Sequence, residues 1–256
     1  MNKPFSKIGI IGSGNVATAL AIELKAKGYN ITEIYSRKKA NAEILAKKIG
    51  ARVIEDLAEL NPQLDLVIIA VTDDAIAPIV SKIKKTIKSI VHTSGSVALS
   101  AIKKGNENYG VFYPLQTFSK KRKVDFKKIP FCIEANNAKL LRKLRLLAKS
   151  IGGEAFELSS KQRLQVHLAA VITNNFTNHL LHISQFILKR NGLPSKILYP
   201  LLCETIEKAV KIGPAKSQTG PAIRGDSSTI KKHLGLLPKA HQKDIYIAIT
   251  KSIQSL

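Results

Sequence analysis

Lys7-Ile-Gly-Ile-Ile-Gly-Ser-Gly-Asn-Val-Ala17 is the stretch whose reading decides the fold. The apolar run from Ile8 to Ile11 has the character of a short buried strand. It breaks at Gly12-x-Gly14-x-x-Ala17 and continues through Ala19, Leu20, Ala21 and Leu24 with helical spacing. Strand, tight turn and helix in that order make the first half of a dinucleotide-binding βαβ unit. Gly12 permits the turn, Gly14 admits a pyrophosphate to the backbone, and Ala17 keeps the helix close to the strand. A helix opening near Asn15 aims its free N–H groups and positive dipole end at an anion. A glycine-rich turn without a ligand is the plainer reading. A second strand, Ile31 to Tyr35, arrives at the distance the βαβ unit requires.

The end of that second strand bears on the cofactor. It runs Tyr35-Ser36-Arg37-Lys38-Lys39. A carboxylate at this point suits the ribose hydroxyl of NAD, whereas Arg suits a 2′-phosphate. Glu33 falls inside the strand, so NADP(H) is expected in preference to NAD. A merely solvated basic loop is the alternative. The apolar run Leu64 to Val71 reads as a strand buried on both faces and opens into Thr72. The expected cofactor-binding set is therefore Gly12, Ser13, Gly14, Asn15, Val16, Ser36, Arg37, Val71 and Thr72.

The 256 residues are 45% hydrophobic, ample for a core, and carry a formal charge of +23. Lys and Arg are spread along the chain rather than gathered with a nucleic-acid motif, so nucleic-acid binding is not expected and a phosphate-rich cofactor would profit from the field. The first two dozen residues resemble a signal peptide in outline. Ser13, Asn15 and Glu23 interrupt the pattern, and cleavage would destroy the dinucleotide turn. No run of about 18 uncharged apolar residues occurs, so no membrane span is expected. Cys132 and Cys203 lack metal-ligand spacing and read as buried free thiols of a cytoplasmic protein, with no metal site.

Further strands are expected around Ser89–His92, Val111–Tyr113, Phe131–Glu134 and Glu154–Glu157, with helices at 40–49, 75–84 and 138–151. Their polar openings, Thr72, Ser94 and Gln116, come after strand carboxyl ends, where open α/β sheets bind ligands. Lys120 to Lys123 is a solvated basic loop or a lid. After Ser159 the pattern holds only helices. The spacing predicts one long helix over 161–190, opened by a Ser159/Gln162 capping box and stopped at Asn191-Gly192. Leu168, Ile172, Phe176, Ile183 and Ile187 share an apolar face; His167, Asn174 and Asn178 form a separate stripe, with Asn175 beside it. The stripe is either a hydrogen-bonded seam or a ligand-facing wall. Further helices are expected over 195–212, kinked at Pro200, then 228–236 and 240–253. Asp226 or a following Ser is placed to cap the helix at 228–236, and Arg224 either serves that turn or reaches a substrate carboxylate or partner subunit.

Gly12-x-Gly14-x-x-Ala17, His92-Thr-Ser-Gly-Ser96, Gly110-Val-Phe-Tyr-Pro-Leu-Gln-Thr-Phe118, His167-Leu-Ala-Ala-Val171, Asn174-Asn-Phe176 and Gly220-Pro-Ala-Ile-Arg-Gly-Asp226 together resemble a family pairing a Rossmann-like NAD(P)-binding domain with a helical C-terminal domain of unknown function. The set is similar more widely to pyrroline-5-carboxylate reductases and to the 6-phosphogluconate and β-hydroxyacid dehydrogenases. That resemblance implies a nicotinamide cofactor, hydride chemistry and a dimer built on the helical domain. Val171 stands where the β-hydroxyacid dehydrogenases carry their catalytic lysine, so their mechanism does not transfer whole.

The expected architecture is a doubly wound Rossmann-type α/β domain, 1–157, followed by an all-α domain, 158–256. The expected function is NADP(H)-dependent hydride transfer to or from a small carbonyl, hydroxy or imine substrate held between the domains. His167 is the candidate proton donor, because imidazole serves as acid and base near neutral pH. Asn174, Asn175 and Ser94 are expected to orient the substrate. The alternative is a non-catalytic NADP(H)-responsive protein that docks a partner through its helical domain.

Overall fold

The computed structural model describes residues 3–103, 106–122 and 124–256; Lys123 of the basic run lies outside them. Strands β1 (Lys7–Ile11), β2 (Asn30–Tyr35), β3 (Arg52–Ile54), β4 (Leu66–Ile69), β5 (Ile90–His92), β6 (Tyr109–Pro114), β7 (Pro130–Ala135) and β8 (Glu154–Glu157) form one sheet. Its order is β3-β2-β1-β4-β5-β6-β7-β8. Every pairing is parallel except β6 with β7. The order turns back between β1 and β4, so the loops leaving those strands flank the switch point where ligands enter such sheets.

The period-2 alternation of the strands divides the core between the two faces. Ile8, Ile10, Leu66, Ile68 and Val91 pack with helices α1 (Asn15–Ala26), α2 (Lys39–Ile49) and, further along the sheet, α4 (Ala138–Ser150). Ile11, Val67, Ile69 and Ile90 face the other way, against Ile76 and Val80 of α3 (Asp73–Lys82). Helix α2 ends at Gly50, whose left-handed φ of 69° caps it as the sequence suggests.

Beyond β8 the chain is helical, with α5 (Ser160–Ala170), a π-helical segment over Val171–Phe176, α6 (Thr177–Arg190), α7 (Tyr199–Ile212), α8 (Pro214–Ser217), α9 (Ser227–Leu236) and α10 (Ala240–Gln254). The Ser159/Gln162 capping box forms, and Asp226 caps α9 through the Thr229 N–H at 3.0 Å. The predicted kink at Pro200 is absent. Pro200 sits in the first turn of α7, where its missing N–H has no helical partner to lose. Packing divides the chain into two compact units, Met1–Asn174 and Asn175–Leu256. Composition changes at 157/158, but α5 belongs to the first unit because Arg163 is buried there, at 1% exposure.

The π segment also alters the long helix. The stripe of His167, Asn174 and Asn178 assumes 3.6 residues per turn throughout. A π turn adds about one residue and rotates the positions beyond it by roughly 100°. Cys132 is buried as expected, but Cys203 is exposed, because nothing in the second unit covers that side of α7.

Gly12 shows how tightly the first turn is built. Its φ is +120°, and a Cβ there would lie 2.1 Å from the Ala70 carbonyl oxygen. Gly12→Ala is expected to lower unfolding free energy by more than about 2 kcal/mol, from backbone strain and the clash together. Denaturant unfolding of the variant checks this; an unchanged midpoint contradicts it.

Candidate functional site

The loop after β1 presents the amino end of α1. Its N-cap, Gly14, offers no side chain, and no side-chain bond caps the helix. Space around Gly14 is open, with no atom within 4 Å of a Cβ built there. Gly14 and Asn15 are exposed, Val16 half-buried, and Gly12 and Ser13 buried beneath them. Uncapped N–H groups beside open space are what an anionic ligand requires. The residues present therefore fit the pyrophosphate of a dinucleotide.

Ser36 at the end of β2 joins this cradle through its hydroxyl, 2.7 Å from that of Ser13. Arg37 is exposed beside it. Glu33 is buried in mid-strand and fully engaged, accepting from Arg52 at 3.0 Å and from the Asn61 N–H at 3.0 Å. Each of its oxygens thus already serves a structural bond within the sheet layer. Val71 lies against Gly12, its Cγ1 3.4 Å from a Cβ built on that glycine. Thr72 is exposed at the head of α3, which its side chain leaves uncapped.

A second cluster gathers at the carboxyl ends of β5 and β6. The Tyr113 hydroxyl lies 3.1 Å from Nδ1 of His167, and the rings meet edge to face at 5.9 Å. Gly95 lies directly against both: a Cβ there would come within 2.6 Å of His167 Nδ1 and 2.9 Å of Tyr113 Cζ. Ser94 folds this turn, its Oγ accepting from the N–H groups of Ser96 and Val97 at 3.1 and 3.0 Å. The Ser96 hydroxyl in turn donates to Asp73.

The cluster rests on a charge pair whose cation is buried and whose carboxylate is half-buried. Arg163, one helical turn before His167, pairs with Glu134 of β7 and donates to the Val97 carbonyl. Glu134 also accepts from the Ser160 N–H at 2.9 Å, and the Ser160 hydroxyl accepts from the Leu99 N–H at 2.9 Å. These bonds seat the start of α5 on the sheet and on the 94–99 turn. His92 lies wholly buried below, its Nδ1 accepting from the Ser94 N–H at 3.1 Å. Burial, with the nearby Arg163 charge, drives its pKa down to about 3, so it is neutral and carries its proton on Nε2.

Residues 7–94 match a family described as NADP oxidoreductase, coenzyme F420-dependent, and residues 129–253 match a domain of unknown function, DUF2520. A Bacteroides fragilis protein described as a "putative NADP oxidoreductase" has 39% identity over 99% of both chains, with a TM-score of 0.91. The chain belongs to the DUF2520-containing NADP oxidoreductase family. Two more distant structures share the fold of this NADP oxidoreductase family member. An imine reductase from Myxococcus stipitatus in complex with NADP+ has 15% identity over 97% of this chain and 92% of its own, with a TM-score of 0.68. A 1-pyrroline-5-carboxylate reductase from Streptococcus pyogenes has 18% identity over 98% of both chains, with a TM-score of 0.63. No curated protein matches the sequence.

In this oxidoreductase the residues expected at the cofactor fall around one turn, and His167 and Ser94 fall around another. Asn174 closes the first unit and Asn175 opens the second; both are exposed on the π segment. Tyr113, Gly95, His92 and Arg163 were not among the residues expected at the site. Gly95 and Tyr113 stood inside motifs already singled out, whereas Arg163 looked like one more surface cation. Among the described residues no helix is long and apolar enough to cross a membrane.

The buried His92 makes a pH prediction. The unfolded chain takes up a proton at this residue near 6.5, while the folded protein resists until about 3. Between those limits unfolding binds a proton, so stability falls as pH drops, by at most about 1.4 kcal/mol per pH unit. Denaturant unfolding at pH 7.5, 5.5 and 4.5 should show a shallower loss for His92→Asn than for the wild type. Parallel losses contradict the assignment.

Proposed function

We propose that the protein is an NADP(H)-dependent oxidoreductase that moves a hydride to or from a small carbonyl, hydroxy or imine compound. The observation that carries this reading is the uncapped amino end of α1 facing the open space at Gly14. The N–H groups from Ser13 to Val16 would hold the pyrophosphate, while the Gly12 N–H stays on the Tyr35 carbonyl at 2.8 Å. Ser36 and Arg37 would take the 2′-phosphate, with Glu33 held in mid-strand by Arg52. Val71 and Thr72 would border the bound cofactor at the end of β4. When bound, the nicotinamide would supply or accept the hydride. His167 would supply the proton to the substrate heteroatom, with Ser94, Asn174 and Asn175 orienting the substrate. Ser94 would act through its turn, since its oxygen already accepts two backbone bonds.

Val171 at the position of the dehydrogenase lysine supports a second reading, an NADP(H)-responsive protein without turnover. His167→Ala separates the two. Catalysis predicts intact NADPH affinity with turnover lowered about 10²–10⁴-fold on a responsive carbonyl or imine.

The cofactor reading has its own test in titrations with NADPH and NADH. Gly14→Ala has no steric obstacle in the protein, so it should keep the wild-type melting temperature while weakening NADPH binding. Arg37→Asp should remove an NADPH preference on the order of tenfold or more, the worth of a charged hydrogen bond. Equal wild-type affinities for the two cofactors, or undiminished NADPH binding by Gly14→Ala, contradict the reading.

We also propose that the protein is a homodimer through its helical unit. Within Asn175–Leu256 only Ala222, Leu237 and Gln242 are buried, while Phe176, Ile206 and Val210 are 56%, 50% and 83% exposed. An apolar cavity of about 460 Å³ lies open among α6, α9 and α10. A helical unit burying so little does not hold together alone, and a second copy on a two-fold axis is the simplest cover. Light scattering at micromolar concentration should give twice the chain mass; a concentration-independent monomer contradicts the dimer.

A further inference from the structure

The pair formed by Tyr113 and His167 says more about the reaction than a lone imidazole would. Building on the oxidoreductase reading above, we propose that Tyr113 is a positioning residue and proton reservoir that fixes His167 in its Nε2–H tautomer. The site then presents an N–H donor to an uncharged carbonyl or imine whose lone pair is free. A pre-formed iminium, already carrying its proton, would find no acceptor at this ring.

The geometry sets the tautomer. The Nδ1 edge of His167 is the edge pressed against Gly95 and Tyr113, at 2.6 Å from a built Gly95 Cβ and 3.1 Å from the phenol oxygen. Gly95 has no side chain with which to compete for Nδ1. The bond to His167 is the one the phenol makes among the described residues, so its O–H has Nδ1 as acceptor. Burial first, and then the nearby Cys132 and Asp73, push the Tyr113 pKa up to about 12, which keeps the phenol protonated and donating. Nδ1 is thereby an acceptor, and the ring proton belongs to Nε2 on the far edge.

The proton path balances. When bound, the nicotinamide would supply the hydride to the substrate carbon, and the π electron pair of C=O or C=N would pass to the heteroatom. That atom takes the proton from Nε2, and Nδ1 takes the proton of Tyr113. Tyr113 is left as a phenolate, far less basic than the alkoxide or amide anion that has been quenched, and solvent reprotonates it at its half-buried edge. Without the phenol, neutral His167 would have to give up its only N–H proton with nothing to replace it.

The test needs no substrate. Full-length protein labelled with ¹⁵N at histidine is examined by long-range ¹H–¹⁵N correlation at alkaline pH, with His167→Gln assigning the resonance. Wild-type His167 should show the Nε2–H pattern, and Tyr113→Phe should relax it to a mixture while NADPH affinity changes less than about twofold. An Nδ1–H pattern in the wild type overturns the proposal, as does an Nε2–H pattern unchanged in Tyr113→Phe. Should Tyr113→Phe not fold, Tyr113→Leu takes its place, with the same relaxation expected and the same unchanged Nε2–H pattern overturning the proposal. Loss of the oxidoreductase reading shows differently, as absent NADP(H) binding with the tautomer as described.

Discussion

The pairing of buried Arg163 with half-buried Glu134 is the interaction on which the candidate site depends. It brings α5 onto β7 of the sheet, and the same guanidinium holds the Val97 carbonyl of the turn that carries Gly95. His167 comes four residues after Arg163, on the same side of α5. Wherever the charge pair pins the helix, the imidazole is set down on Gly95 and beside Tyr113. Losing Glu134 would leave the Arg163 charge buried and unmatched, a cost of about 3–5 kcal/mol. The Arg163 charge also reaches His92, adding to the burial that keeps that imidazole neutral beneath the Ser94 turn. One ion pair thus links the placement of the ring, the shape of the turn below it and the protonation of the layer beneath.

Much of the nucleotide unit was legible because its signals are local. The glycine spacing after β1 records a φ of +120° and a close approach to Ala70 that no other residue tolerates. The near-continuous apolar runs of β1 and β4 record strands covered on both faces. Glu33 could be placed within its strand, rather than at its end, by counting alone, and the structure spends it on Arg52. The site was legible only in part, because its contacts are not local. Tyr113 and His167 are 54 residues apart, and no periodicity links them. Arg163 was hidden by composition, one cation among 41. The π segment at Val171–Phe176 contains neither Pro nor Gly, so nothing in the pattern announced a change of helical repeat.

The two units obey different rules. The first buries both faces of its sheet beneath helices and has two continuous apolar clusters. The second has the apolar positions of a helical bundle, yet leaves Leu201, Ile206, Val210 and Leu236 at least half exposed. An apolar surface on that scale asks for a partner of its own kind. The high positive charge is spread over the chain, and within the candidate site the buried cation, Arg163, is already matched by Glu134. The field is therefore better suited to drawing in a polyanionic cofactor than to reading a charged substrate at the reacting centre.

On this reading the Gly12–Val16 turn and the Tyr113–His167 pair serve one reaction. A crystal structure of the full chain with NADPH tests it most directly. The pyrophosphate is expected on the N–H groups at the head of α1, and the nicotinamide ring within reach, about 3–4 Å, of a substrate atom that His167 Nε2 can also contact. A nicotinamide lying away from His167, or a cofactor bound anywhere but at the Gly12–Val16 turn, would contradict it.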